Sequence, residues 1–257
     1  MAAPKVEPKI YTAVVLDFET GGLDCTDCAC TQLAMQAVRL DNWAVLERYA
    51  KYIAPYRKLD MGGAPKRKVL KTRQELAEED AGVPMKYEPV ALTYSAITMD
   101  MLHSMGVELK EVAADVIGFG KRNTLSKGQQ CKPILIGQNI TFDIGFLQQM
   151  MAYAGLTKEF EKVYAGKTDF YGNFQPHYVD TIDLGRFAFA HQPDMTSYKL
   201  EILSERLGIE LDDAHDAGAD VTATLNVAAV CSGRLRQEGG GDICIQKKEK
   251  TRTHFKI

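Results

Sequence analysis

The feature that most constrains the fold is an uninterrupted apolar, β-branched run at residues 11–16, which is followed at once by two acids. Such a run is typical of a strand buried on both faces. The acids, Asp17 and Glu19, are two residues apart, so on a strand they project from the same face. Two such carboxylates repel each other and lose hydration unless a cation lies between them. The pair therefore predicts a site for a hard divalent ion such as Mg²⁺, although two turn carboxylates also fit the pattern.

Length and composition describe an ordinary globular chain. Its 257 residues, 46% hydrophobic and 25% charged, fit one domain with additions or two small domains, and exclude a disordered or fibrous protein. No stretch approaches the roughly 18 apolar residues of a membrane span, and the N-terminus lacks a signal-peptide core. We therefore expect a cytoplasmic protein without membrane contact, whose six cysteines are free thiols.

The hydrophobic pattern predicts an α/β sandwich built on a mixed sheet. Strands are predicted at 11–16, 33–40, 45–53, 134–136 and 178–180. Helices are predicted at 108–121, from just after Gly137 to near Gly155, and at 182–190, 200–207 and 216–231. The second and third strands are joined by a short polar link at Asp41 and Asn42, which favours antiparallel neighbours. Strands in the first half, followed by strand–helix alternation, favour this fold class.

Charge is distributed unevenly along the chain. The net charge is −3, but residues 55–73 carry +6 and residues 234–257 carry +4, so the remainder carries −13. The first basic segment belongs to an insertion at about 55–89, and the second follows three glycines at 239–241, which predict a flexible joint. Each segment is either solvated surface or a contact for a nucleic-acid backbone, and the acidic remainder suggests that some carboxylates are retained for a ligand.

Two further acids and a histidine extend the candidate site. Asp143 lies in the first turn of the helix after strand 134–136, so it faces Asp17 and Glu19 if that strand is parallel to 11–16. An acid there also complements the helix macrodipole, and this structural role stays open. Residues five apart on a helix differ by about 140°, so we place His215 in the loop entering the last helix and Asp220 inside that helix, facing the sheet.

Three motifs together resemble the DnaQ-like 3′–5′ exonucleases. They are DFETGGL at 17–23, NITFD at 139–143 and HDAGAD at 215–220, and their order and spacing match the subclass with four acids and a histidine, which includes the proofreading epsilon subunit of bacterial DNA polymerase III. The segments at 178–184 and 197–200 also look familial, and the resemblance covers about residues 10–232. Gly21, where the family often has threonine, and Gln32, where many members have glutamate, depart from the commoner pattern.

The resemblance implies a ribonuclease-H-like fold, with a mixed five-stranded sheet flanked by helices, and two-metal hydrolysis of the 3′-terminal phosphodiester of DNA. The exonuclease domain would span 10–232 and carry the insertion, and 233–257 would be a basic tail. Two Mg²⁺ ions, with Mn²⁺ able to substitute, would be held by Asp17, Glu19, Asp143 and Asp220. His215 would be the general base, and the product would be a nucleoside 5′-monophosphate. The expected contacts to the terminal nucleotide are Phe18, Thr20, Gly21, Gly22, Leu23, Asn139 and Phe142.

Several alternatives stay open at this point. The substrate is the single-stranded 3′ end of DNA or, by the same chemistry, of RNA, since nothing in the sequence reads the 2′-hydroxyl. The chain is a proofreading partner of a DNA polymerase or free-standing, and a silent polymerase-docking domain is disfavoured by its intact acids. Asp180 either caps the following helix or acts near the site. Cys25, Cys28 and Cys30 have metal-like spacing without the partner ligands that a closed zinc site needs.

Overall fold

The computed structural model describes residues 8–59, 83–210 and 217–237. Most of the basic insertion, the tail from 238 onwards, and His215 with its neighbour Asp216 lie outside the described residues. Among the helices described, none combines the length and apolar character that crossing a membrane requires.

A five-stranded mixed sheet forms the centre of the molecule, in the order β3-β2-β1-β6-β9. Its strands are β1 (Thr12–Thr20), β2 (Cys30–Arg39), β3 (Val45–Tyr52), β6 (Ile134–Gly137) and β9 (Tyr178–Asp180). The first three strands are antiparallel neighbours, whereas β6 is parallel to both β1 and β9. The sequence therefore predicted the five strands, the antiparallel β2–β3 pair and the parallel β1–β6 pair correctly, whereas it made no prediction for the antiparallel β1–β2 pair.

Strand β1 extends beyond the apolar run, because its pairing with β2 continues through Glu19 and Gln32. Ala13, Val14 and Val15 are fully buried, as expected for a central strand covered on both faces. Asp17 and Glu19 consequently lie inside the strand, near its carboxyl end.

Helices cover both faces of the sheet. They are α1 (Pro89–Tyr94), α2 (Met99–Met105), α3 (Leu109–Arg122), α4 (Ile140–Ala154), α5 (Thr157–Val163), α6 (Thr181–Ala188), α7 (Leu200–Leu207) and α8 (Ala217–Gln237). On one face α3, α4 and α5 pack against Val14, Leu16 and Phe18 of β1. On the other face α8 packs against Ala13 and Val15. The α/β fold with flanking helices is as predicted, and α8 continues six residues beyond the predicted helix end at 231.

Short elements complete the fold. Strands β4 (Arg57–Lys58) and β5 (Val83–Pro84) pair with each other and bring the two ends of the insertion together. A second small hairpin joins β7 (Gly166–Thr168) to β8 (Phe174–Pro176). The sequence predicted neither hairpin, nor α1, α2 or α5, because segments of two to seven residues do not show a full hydrophobic period.

Candidate active site

Three carboxylates meet where β1 passes beneath the start of α8. Asp17, Glu19 and Asp220 each place one oxygen within 4.8 Å of the others, and all three are half-buried. Alternation along β1 puts Asp17 and Glu19 on the face that α8 covers, and the packing of Ala217 and Val221 onto that face brings Asp220 to them. Within the described part of the chain, no other three histidine, cysteine or acidic side chains are gathered this closely.

Asp143 approaches the same place from the first turn of α4. Its side chain is only 3% exposed, and its Oδ1 accepts a hydrogen bond from the Phe18 backbone N–H at 3.0 Å. Burial raises the pKa of Asp143 well above its usual range, and the negative charges of Asp17 and, more weakly, Glu19 raise it further. A fourth acid is therefore held against two others at a cost that a bound cation would offset.

These acids line one side of an open cleft of about 690 Å³. A second wall is formed by residues 196–201 and by Arg186 of α6. The Arg186 guanidinium lies over the Tyr198 ring, 5.9 Å from its centroid, and pairs with Asp183 at 2.9 Å. The cleft thus combines a carboxylate wall with a wall that carries Tyr198, Arg186 and Lys199, which is an arrangement that a nucleotide chain with bound cations would fit.

Tyr94, the last residue of α1, also lines the cleft. Burial raises the pKa of its phenol, and the negative charges of Glu201, Asp220 and Glu19 add to that rise. Tyr94 is therefore a neutral hydrogen-bonding group next to the acid cluster at neutral pH.

The predicted site residues divide into three groups. Those that line the cleft are Asp17, Phe18, Glu19, Asn139, Phe142, Asp143 and Asp220. The predicted nucleotide contacts at 20–23 are not among its lining residues. His215 lies outside the described residues, and the cleft gives no position for it.

The loop at 20–23 is packed against the segment that precedes α1. The Thr20 hydroxyl donates to the Gly22 carbonyl oxygen at 2.8 Å, and the Glu88 N–H donates to the Gly21 carbonyl oxygen at 2.7 Å. Leu23 is 85% exposed at the surface. The glycines at 21 and 22 therefore allow two backbone segments to approach closely.

Sequence reasoning assigned no role to several residues that line the cleft. They are Tyr94, Gln138, Ile182, Arg186, Thr196, Ser197, Tyr198, Lys199, Leu200 and Glu201. Gln138 directly precedes the second motif, and residues 197–200 resemble the corresponding segment of the family. Neither segment has a spacing of polar residues that indicates a catalytic or binding role. These residues meet because α6 and α7 both pack against α8, which carries Asp220.

The three closely spaced cysteines serve packing. All three are free thiols, and burial raises the pKa of Cys30 to about 12, so that this thiol is neutral. The Cys30 N–H donates to the Tyr56 hydroxyl oxygen at 2.7 Å, and that hydroxyl donates to Gln149 Oε1 at 2.7 Å. The loop that carries these cysteines is thus held by a polar network around Tyr56 and Gln149. Among the described residues, the cysteines are not grouped with further ligands that could form a zinc site.

The sheet order and the cleft define a ribonuclease-H-like α/β fold. E. coli exonuclease I in complex with a dT13 oligonucleotide has this fold, with a TM-score of 0.60 at 20% identity over 88% of this chain and 42% of that chain. The chain belongs to the RNase T exonuclease family, whose family model matches residues 93–228, just over half of the chain. This match confirms the resemblance to DnaQ-like 3′–5′ exonucleases.

Curated relatives include bacterial DNA polymerases. The PolC-type DNA polymerase III of Lacticaseibacillus paracasei is 26% identical over 212 residues, which are 82% of this chain and 10% of that protein. The PolC-type enzyme of Bacillus subtilis is 27% identical over 213 residues, 83% of this chain and 11% of that protein. The chain thus spans about a tenth of the length of these relatives and about two fifths of exonuclease I.

Proposed function

We propose that the chain is a metal-dependent 3′–5′ exonuclease that hydrolyses the terminal phosphodiester of single-stranded DNA and releases nucleoside 5′-monophosphates. The observation that carries this proposal is the cleft itself, with four carboxylates on one wall and Tyr198, Arg186 and Lys199 on the other. The proposed nuclease unit is 10–232, followed by the basic tail.

The donor set fits divalent cations that prefer oxygen ligands. Asp17, Glu19 and Asp220 would hold one ion, and Asp17 with Asp143 would hold a second. Carboxylates without histidine or thiolate among the described ligands favour Mg²⁺, with Mn²⁺ as a substitute. When bound, such ions stabilise the charge that develops on the attacking and leaving oxygens.

The chain's own residues would position the substrate. Phe142 offers partly exposed apolar surface beside the acids for the terminal nucleotide, whereas Phe18, also in the lining, is 5% exposed and belongs to the core. Tyr198 offers a ring on which a neighbouring base can stack. Lys199 offers positive charge to a phosphate that the carboxylate wall does not hold, and Arg186, which pairs with Asp183, adds to it. His215 is the proposed group that takes the proton from the attacking water.

DNA as substrate and a link to replication are supported by the relatives. A solved exonuclease I of this fold binds a dT13 oligonucleotide, and the curated relatives are DNA polymerases. We therefore propose a proofreading or repair role, with a DNA polymerase as partner. An aromatic and cationic wall is compatible with any base, as expected for either role.

The test is hydrolysis of 5′-labelled substrates by the purified chain with Mg²⁺. Single-stranded DNA, duplex DNA with a mispaired 3′ end, and single-stranded RNA are compared for the wild type and Asp17→Asn. Asp41→Asn is the matched control, because Asp41 pairs with Arg39 at the opposite end of β1 and β2. We expect shortening of DNA from the 3′ end by the wild type and by the control, and loss of at least about 10³-fold in Asp17→Asn.

Three outcomes would contradict parts of the proposal. No shortening of any substrate overturns the enzyme, and activity that survives Asp17→Asn overturns the site. Faster degradation of RNA than of DNA assigns the same chemistry to RNA instead.

A further inference from the structure

Two strand-to-helix junctions lie side by side at the carboxyl edge of the sheet. Strand β6 leads into α4 and strand β9 leads into α6, and Gly137 pairs with Asp180 in the parallel register. Asp180 is the N-cap of α6, and its Oδ1 accepts a hydrogen bond from the Ile182 N–H at 2.9 Å. This contact satisfies one of the four backbone donors that every helix start leaves open.

The same carboxylate also caps the neighbouring helix. Asp180 Oδ1 accepts a bond from the Asn139 N–H at 3.1 Å, and Oδ2 accepts one from the Ile140 N–H at 3.2 Å. Asn139, the N-cap of α4, has a left-handed backbone with φ of 53° and makes no capping bond through its own side chain. The start of α4 is therefore held by a residue some forty positions later in the chain.

Thr181, the next residue, connects this junction to the second wall of the cleft through hydrogen bonds. The Thr181 hydroxyl is fully buried and is shared between the Gly137 carbonyl oxygen, at 3.2 Å, and Gln138 Oε1. Gln138 Nε2 in turn donates to the Tyr198 carbonyl oxygen at 2.9 Å. Asp180 and Thr181 together thus hold the turn that carries Asn139 and connect it, through Gln138, to Tyr198 in the second wall of the cleft.

We infer that Asp180 is a positioning residue for the metal site, acting on Asp143 through the first turn of α4. Asp143 is the fourth residue of that helix, and its Oδ1 must stay at the Phe18 N–H to face Asp17. This inference rests on the proposed metal-dependent function, but it makes a separate claim. Asp180, which would not itself bind the ions, fixes the position of Asp143, which would. Residues of this kind change metal affinity by about 10–100-fold when they are replaced.

Asp180→Asn and Asp180→Ser separate positioning from capping. Asparagine keeps the size of the side chain and one acceptor oxygen, so it can still cap α6 through the Ile182 N–H. Its NH₂ group replaces the oxygen that accepts from the Ile140 N–H, so it weakens the start of α4. Serine is a good N-cap for α6 and is too short to reach Asn139 and Ile140 across the junction. The matched control is Asp169→Asn, because Asp169 also accepts two backbone N–H bonds, from Tyr171 at 2.9 Å and Asn173 at 2.8 Å, in a hairpin that does not line the cleft.

The first measurement is Mn²⁺ binding by titration calorimetry on the full chain, beside the melting temperature. We expect about tenfold or greater weakening of Mn²⁺ binding in both Asp180 variants and none in the control. We expect the melting temperature of Asp180→Asn to lie closer to the wild type than that of Asp180→Ser, because asparagine keeps one of the two acceptor oxygens. If both Asp180 variants keep the wild-type Mn²⁺ affinity and only their melting temperatures fall, Asp180 is a helix cap alone and the inference is overturned. Wild-type Mn²⁺ affinity in Asp180→Ser alone would overturn it too.

The second measurement is the Mg²⁺ dependence of DNA hydrolysis. The Mg²⁺ concentration for half-maximal activity should rise about tenfold in the Asp180 variants, with a smaller loss at saturating Mg²⁺. If the wild type binds Mn²⁺ but cleaves no nucleic acid, the proposed function fails while the calorimetry still decides the role of Asp180.

Discussion

Burial makes ionisation of Asp143 unfavourable in the metal-free protein at neutral pH. Its pKa is raised in the folded state by burial and by Asp17, so folding opposes ionisation of this group. A raised acid pKa favours the folded state at low pH, and this contribution is lost as the pH rises through the folded-state pKa. A cation bound at the cluster would offset this electrostatic cost.

Asp143→Asn should therefore stabilise the metal-free protein. The asparagine oxygen can still accept from the Phe18 N–H, but the buried charge is absent. We expect the melting temperature in a chelator to rise by a few degrees at pH 7 and by less at pH 4, while exonuclease activity is lost. A lower melting temperature at pH 7 would contradict the assigned direction of the pKa shift.

His215→Ala tests the proposed general base. Removal of a positioned base costs typically 10²–10⁴-fold in rate, so we expect kcat to fall by about 10²-fold or more. Mn²⁺ affinity, measured by calorimetry, should stay near that of the wild type. An equal loss of metal affinity would identify His215 as a ligand.

Ala96 shows backbone strain beside the cleft. It follows the C-cap of α1 with φ of 53°, a conformation that costs a residue with a Cβ about 1–2 kcal/mol. Ala96→Gly should stabilise the protein by about 0.5–1 kcal/mol in urea unfolding, because part of the gain is offset by glycine's chain entropy. Ala229→Gly, inside helix α8, is the control and should have the opposite sign.

At the scale of elements, the loop after β1 depends on close backbone approach. A Cβ at Gly21 would lie 2.5 Å from the Lys86 carbonyl oxygen, whereas a Cβ at Gly233 in α8 would meet no atom within 4 Å. Gly21→Ala should therefore destabilise the fold by about 1–3 kcal/mol. Gly233→Ala should stabilise it by about 0.5–1 kcal/mol in the same denaturant titration. Equal effects would show that the Gly21–Lys86 approach is not tight in solution.

The elements also show what the sequence could and could not predict. The apolar runs along the chain predicted the strands of the sheet. The two-residue spacing of Asp17 and Glu19 predicted that both side chains lie on the same face of β1, without any tertiary information. The role of Tyr198 could not be predicted, because it lies in a polar segment without a period. The contacts of Asp180 to the backbone N–H groups of Asn139 and Ile140 could not be predicted either, since they depend on the register of two parallel strands.

At the scale of the molecule, helix α8 connects the carboxylate cluster to the two apolar cores that it helps to form. Its Val221 and Leu225 pack on the sheet, and its Val227 and Cys231 pack against α6 and α7. A ligand that holds Asp220 to β1 therefore stabilises the packing of the longest helix described. Binding to the folded state alone stabilises a protein by about 2.7 kcal/mol at a ligand concentration 100-fold above Kd.

Mn²⁺ should thus raise the melting temperature of the wild type in a saturable manner. Asp17→Asn should reduce or abolish this rise, and the Asp41→Asn control should retain it. The measurement is a set of thermal melts at increasing Mn²⁺ concentration. An equal rise in Asp17→Asn would place the binding ions elsewhere on the chain.

The position of β3 at the end of the sheet affects how copies of the chain meet at high concentration. An edge strand can pair with the edge strand of another molecule, and charged side chains oppose this. Strand β3 carries Glu47, Arg48 and Lys51 within eight residues, and the opposite edge, β9, is only three residues long. Protection against strand-mediated aggregation therefore comes from local charge on one edge and brevity on the other, and not from the small net charge of −3.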